Sequence, residues 1–238
     1  MFAFARPAIA EPPQPLGPDE IHVWICEFPV SDPATCRSAA QRFLRRVLAA
    51  YRGCDEGELV LETGAHGKPA LADASVAFNL SHSGTHAALV LASGVEVGID
   101  LESPSRPRPH MALARRYFCE REAAALAAIT DSERENAFLR LWTAKEAVLK
   151  ALGRGLAFGL DRLEFDLATE PPRLRWIAAD GGMPADWQVH ALPLVQPVVG
   201  HLAWRGEPRQ RLFLRCADPG INAAGLIPTP VVGQGLTG

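Results

Sequence analysis

Twice along this chain a long segment of helical period is followed by short apolar runs of strand character, and that order points to a mixed α+β architecture in two α+β halves. The first helical segment starts at Asp32, with Pro33 in the first helical position. It carries Ala39, Ala40, Phe43, Leu44, Val47 and Leu48 at helical spacing up to a stop at Gly53. Strand-like runs flank it: Ile21 to Phe28 before, then Leu59 to Leu61, Val76 to Leu80, His86 to Ala92 and Val95 to Glu102. Ser93-Gly94, between the last two, reads as a hairpin turn. The pattern then becomes helical around Met111 to Ile129 and again from Ser132 or Glu133 to Leu152, with Gly153 where a left-handed cap belongs. Leu163 to Leu167, Trp187 to Leu192, Val198 to Trp204 and Leu212 to Leu214 are the strands expected after it. The expected division is an N-terminal α+β half over 1–105, a C-terminal α+β half over 106–218, and a tail over 219–238 that holds no charged residue.

Composition narrows the function classes. With 238 residues, 48% of them hydrophobic and 21% charged, the chain has the balance of a globular protein. A net charge of -3 provides no overall basic field, so nonspecific nucleic-acid binding is not expected. Cys26, Cys36, Cys54, Cys119 and Cys216 are odd in number and lack CxxC spacing, which argues against a disulfide framework or a thiolate zinc site. No uncharged run of about 18 apolar residues occurs, and the first ten residues do not read as a signal peptide. Neither export nor membrane insertion is indicated, and a cytoplasmic protein is expected.

Three stretches carry chemistry. In Val97-Gly98-Ile99-Asp100-Leu101-Glu102, strand alternation places the apolar residues on one face and Asp100 with Glu102 on the other. Carboxylates roughly 6.5 to 7 Å apart can converge on one hard cation such as Mg2+, which favours carboxylates, waters and substrate phosphates. Gly98 inside that strand marks close approach of a ligand or of backbone. On the helix through Leu141-Trp142-Thr143-Ala144-Lys145-Glu146-Ala147-Val148-Leu149-Lys150, the apolar stripe of Phe138, Leu141, Trp142, Val148, Leu149 and Leu152 has Lys145 in its middle, with Glu146 and Lys150 along its edge. A lysine on an apolar face requires an anion or a route to water. Phe78-Asn79-Leu80-Ser81-His82-Ser83-Gly84 sets hydroxyls and an imidazole where a strand turns into a loop, groups suited to phosphate oxygens or to capping a turn. His22, His190 and His201 fall in strand-like runs and read as structural. Arg106, Arg108, Arg115, Arg116 and Arg121, against the single acid Glu120, form the one local basic patch suited to an acidic protein partner.

Together, FNLSHSG at 78–84, VGIDLE at 97–102 and LWTAKEAVLKALGRGL at 141–156, with GKP at 67–69 upstream, resemble the signature motifs of the surfactin-synthetase type of 4′-phosphopantetheinyl transferase. The similarity runs from about Arg37 to Leu167 and continues loosely beyond. The resemblance implies a monomeric, pseudo-twofold α+β fold with coenzyme A in the cleft between the halves. It also implies transfer of phosphopantetheine from coenzyme A to a serine of an acyl or peptidyl carrier protein, with release of 3′,5′-ADP. Carried over position by position, it makes Asp100, Glu102 and Glu146 the Mg2+ ligands. Lys150 is then the lysine at the diphosphate and Lys145 the other lysine of the motif, so that Glu146, Lys150 and Lys145 serve catalysis. Ser81 matches a diphosphate contact, His82 and Arg37 contacts of the 3′-phosphate, and Gly67, Lys68 and Pro69 the border of the adenine. The patch from Arg106 to Arg121 corresponds to the carrier-protein docking surface. Two rival readings share these residues: a Mg2+-dependent phosphoanhydride hydrolase, and a noncatalytic module that binds coenzyme A or a carrier protein.

Overall fold

The computed structural model describes residues 15–29, 32–64, 66–104 and 108–217, so Arg106 and the expected tail lie outside the described residues. The described chain is mixed α+β and forms two compact units, each discontinuous in sequence. The first takes residues 15–62, 69–94 and 209–217; the second takes 63–68 and 95–208. No helix among the described residues is long and apolar enough to cross a membrane, and all five cysteines are free.

The first unit has a four-stranded sheet in the order β11 (Gln210–Ala217), β1 (Glu20–Glu27), β5 (His86–Ala92), β4 (Ala77–Ser83). Helix α1 (Pro33–Arg52) forms where the sequence says it should. The Asp32 side chain accepts the Thr35 amide at 2.8 Å, Pro33 occupies the first turn, and Gly53 closes the helix at φ 62. Its apolar face, including Phe43, Leu44, Val47 and Leu48, packs against Trp24, Cys26, Phe78, Leu89, Leu91 and Leu214. Each large side chain buried there contributes about 1.5–3 kcal/mol of transfer free energy. Two short strands, β2 (Leu61–Thr63) and β3 (Pro69–Leu71), pair with each other.

The tight hairpin lies one strand earlier than expected. β4 and β5 are joined by Gly84-Thr85, with Gly84 at φ 57 supplying the positive angle of a two-residue turn. His86–Ala92 and β6 (Val97–Glu102) do not pair, although Ser93-Gly94 suggested it: β5 pairs with β1, and β6 pairs antiparallel with β10 (Val199–Arg205), Asp100 opposite His201. This pairing also moves the expected boundary at 105/106. β6 belongs with the second unit because its partner is β10, and β11 belongs with the first because it runs parallel to β1.

In the second unit a three-stranded sheet, β6-β10-β9 with β9 at Trp187–Ala191, lies against helix α4 (Asp131–Ala151). A second sheet pairs β7 (Leu163–Asp166) with β8 (Arg173–Ile177), the latter unforeseen. The helical stretch expected from Met111 to Ile129 is two helices, α2 (His110–Tyr117) and α3 (Glu120–Ala128), separated by extended Phe118 and Cys119. α4 buries residues nearly all round its last three turns, from Leu141 to Ala151, because α2, α3 and all three strands of the sheet pack on it. Phe118, Leu126, Phe138, Leu141, Val148, Leu149, Leu163 and Trp187 make up the body of this core.

Candidate active site

The site begins with the absence of a side chain. A Cβ placed on Gly98 would stand 2.0 Å from the Ala147 carbonyl oxygen and 2.4 Å from the Ala151 amide nitrogen, so only glycine lets the α4 backbone settle onto β6. The close approach expected at Gly98 is therefore made by helix backbone. Since strand residues alternate, Asp100 and Glu102 share the Gly98 face and look toward α4. On α4, Glu146 and Lys150 are one turn apart and flank the contact that Ala147 makes with Gly98.

Lys150 Nζ donates to Asp100 Oδ1 at 2.6 Å and to the Ile99 carbonyl at 3.1 Å. Arg108, just before α2, grips Glu102 with both terminal nitrogens, at 2.8 Å to Oε1 and 3.0 Å to Oε2. Glu146 is half-buried, and its carboxyl is pushed up to about 7, first by desolvation and then by the charge of Asp100, with Lys150 opposing and Glu102 adding a smaller push. The hydrogen bond and charge of Glu102, with help from Asp100, hold the Arg108 guanidinium above its ordinary range. Asp100, Glu102, Glu146 and Lys150 are thus brought into one electrostatic cluster, with Arg108 as a fifth member that the sequence reading had placed on a docking surface.

Among the described residues no three His, Cys, Asp or Glu side chains are gathered closely enough to enclose a metal ion as they stand. Two carboxylates are turned to cations instead, Asp100 to Lys150 and Glu102 to Arg108. The donor set nevertheless suits a hard divalent ion: three carboxylates, oxygen donors only, one of them with its pKa raised by desolvation and then by repulsion from the others. A divalent cation would offset that repulsion.

Lys145 is placed elsewhere. It is fully buried, and its ammonium donates to Glu122 Oε2 at 2.7 Å, to the Leu160 carbonyl at 2.7 Å and to the Leu163 carbonyl at 2.6 Å, which uses all three of its N–H donors. The Phe118 ring lies 4.9 Å away. Burial lowers its pKa, with Glu122 opposing. The anion that the position of Lys145 calls for is Glu122 of α3, itself 1% exposed and accepting from the Phe165 amide at 2.8 Å and the Cys119 amide at 3.2 Å. Sequence reasoning identified the need for a partner and missed which residue supplied it.

The remaining residues fall as follows. Arg37 is exposed near the start of α1. Ser81 is buried and His82 exposed on β4. Gly67 is exposed at φ 82, and Pro69 opens β3 half-buried. Lys68 Nζ donates to Glu96 at 2.7 Å and to the Val97 carbonyl at 3.1 Å, which ties the GKP loop to the start of β6. Of the basic patch, Arg115 and Arg116 are exposed at the end of α2, and Arg121 is exposed beside Glu164. His201 proves structural: its Nδ1 lies 2.8 Å from the Thr143 hydroxyl, which also reaches the Leu139 carbonyl, and burial, followed by the charge of Arg140, holds the ring neutral with its pKa lowered to about 3.

The site is thus a helix backbone seated on a strand glycine, with a Glu and a Lys one turn apart facing two strand carboxylates. Residues 96–196 match the ACPS model, described as the 4′-phosphopantetheinyl transferase superfamily, and that span contains Asp100, Glu102, Lys145, Glu146 and Lys150. The chain is 36% identical over 143 residues to the 4′-phosphopantetheinyl transferase HetI of Nostoc sp., covering 58% of this chain and 60% of HetI. It is 31% identical over 156 residues to the human L-aminoadipate-semialdehyde dehydrogenase-phosphopantetheinyl transferase, covering 60% of this chain and 50% of that enzyme. The chain thus spans between half and two thirds of the length of these relatives, both named as transferases.

Proposed function

We propose that this chain is a 4′-phosphopantetheinyl transferase that moves the phosphopantetheine arm of coenzyme A onto a serine of an acyl or peptidyl carrier protein and releases 3′,5′-ADP. The observation that carries the reading is the gathering of Glu146 and Lys150 from α4 with Asp100 and Glu102 from β6, two segments far apart in sequence, around one patch of opposed charge. Mg2+ held by Asp100, Glu102 and Glu146 would neutralise the diphosphate as negative charge accumulates on it.

The chain's own residues account for the rest. Glu146, directly or through a metal-ordered water, is suited to take the proton of the attacking serine hydroxyl. Lys150 is fixed by its bond to the Ile99 carbonyl, so its ammonium is presented beside Asp100 and is available to the departing diphosphate. We assign Arg37, Ser81, His82, Gly67, Lys68 and Pro69 to coenzyme A, and the exposed Arg115, Arg116 and Arg121 to the acidic carrier protein. The reading of paired halves draws support from each unit having one long helix against a sheet. Lys145 takes no part in the chemistry in this reading and holds α4 to α3.

The test is mass spectrometry of a panel of apo carrier proteins incubated with coenzyme A and Mg2+. A phosphopantetheine mass increment on a serine is expected, and Glu146→Gln should lower the rate by about 10²-fold or more while leaving the melting profile intact. Rapid release of ADP with no acceptor present would instead identify a hydrolase.

A further inference from the structure

Arg108 is the member of the cluster for which the reaction has no assignment. It stands six residues beyond Glu102 and satisfies both oxygens of that carboxylate with a two-pronged grip. Its side chain is 35% exposed, whereas that of Glu102 is 14% exposed, so the guanidinium sits at the rim and the carboxylate beneath it. Lys150 differs: it is held by a backbone carbonyl as well as by its carboxylate, so it keeps its place whatever Asp100 binds. Both Glu102 and Asp100 act on the Arg108 charge.

We propose that Arg108 is a resident counter-ion that competes with divalent metal for Glu102, so that metal entry and release of the guanidinium are one coupled event. This rests on the reading of Asp100, Glu102 and Glu146 as metal ligands. The geometry favours competition over support. A residue that merely orients a ligand carboxylate would take one oxygen and leave the other to the metal, while Arg108 takes both. A cation placed so close to a bound divalent ion would also be repelled by it.

The experiment is a titration of the full chain with Mn2+ at fixed ionic strength, followed by electron paramagnetic resonance of the free ion. Arg108→Gln is expected to bind Mn2+ about three- to tenfold more tightly than the unaltered protein, the order of an exposed to half-buried charge pair. Arg108→Lys, which keeps the charge and loses the fork, should fall between the two. Equal or weaker binding by Arg108→Gln, with Glu146→Gln still abolishing binding, overturns the competition and leaves the metal reading standing. Absence of saturable Mn2+ binding in every protein overturns both.

Discussion

Lys145 has no N–H left to offer a substrate. With Glu122 and two carbonyls occupying its ammonium in a fully buried setting, its removal should register as lost stability. Lys145→Met leaves Glu122 charged and without its cation, and urea unfolding should show a loss of about 3–5 kcal/mol. The double variant Glu122→Gln, Lys145→Met should recover part of that, because the uncompensated charge is gone while an acceptor remains for the Phe165 amide. At this scale the sequence was half legible. A lysine in an apolar stripe announces a buried anion, but Glu122 lies on another helix, 23 residues upstream, and nothing local marks it as the partner. Asp100, Glu102, Glu146 and Lys150 were legible because strand alternation and one helical turn each fix a direction. The grip of Arg108 on Glu102 is a contact that no periodic signal announces.

Element by element, what could be read was whatever the chain states locally. Asp32, Pro33 and Gly53 delimit α1 by chemistry confined to its own ends, and the structure uses all three. The break between α2 and α3 has no glycine or proline to announce it. Its marker is Glu122 reaching back to the Cys119 amide, a capping arrangement with cysteine where serine or threonine would have been recognised. The Ser93-Gly94 turn misled for the complementary reason: the partner of β6 is β10, about a hundred residues away, and pairing at that distance leaves no local trace. Gly98 joins the element scale to the site. Gly98→Ala forces a methyl into the α4 backbone, so the helix must lift from the strand. We expect a loss of about 2–3 kcal/mol in chemical denaturation, together with a fall in transfer activity larger than the loss of folded protein, since Glu146 and Lys150 ride on the displaced helix.

For the whole molecule, the repeated helix-then-strands order was legible, and the division of the chain was not. Two long-range pairings decide it: β11 with β1 and β10 with β6. The first unit therefore holds residues from both sides of the 95–208 segment, and within it Arg209 donates to the Ser93 carbonyl at 2.7 Å. A chain ending at Pro208 would keep every charged group of the candidate site and lose the whole of β11, which pairs with β1 from Glu20 to Glu27. β1 would become an open edge and Leu214 would be missing from the packing around Trp24. Limited proteolysis of that truncated protein is expected to degrade residues 15–94 while sparing 95–208, with increased aggregation on warming. During synthesis the same connectivity imposes a schedule: the opening strand leaves the ribosome early, yet its parallel neighbour is made only after the entire intervening segment, so the portion synthesised first is the last to close.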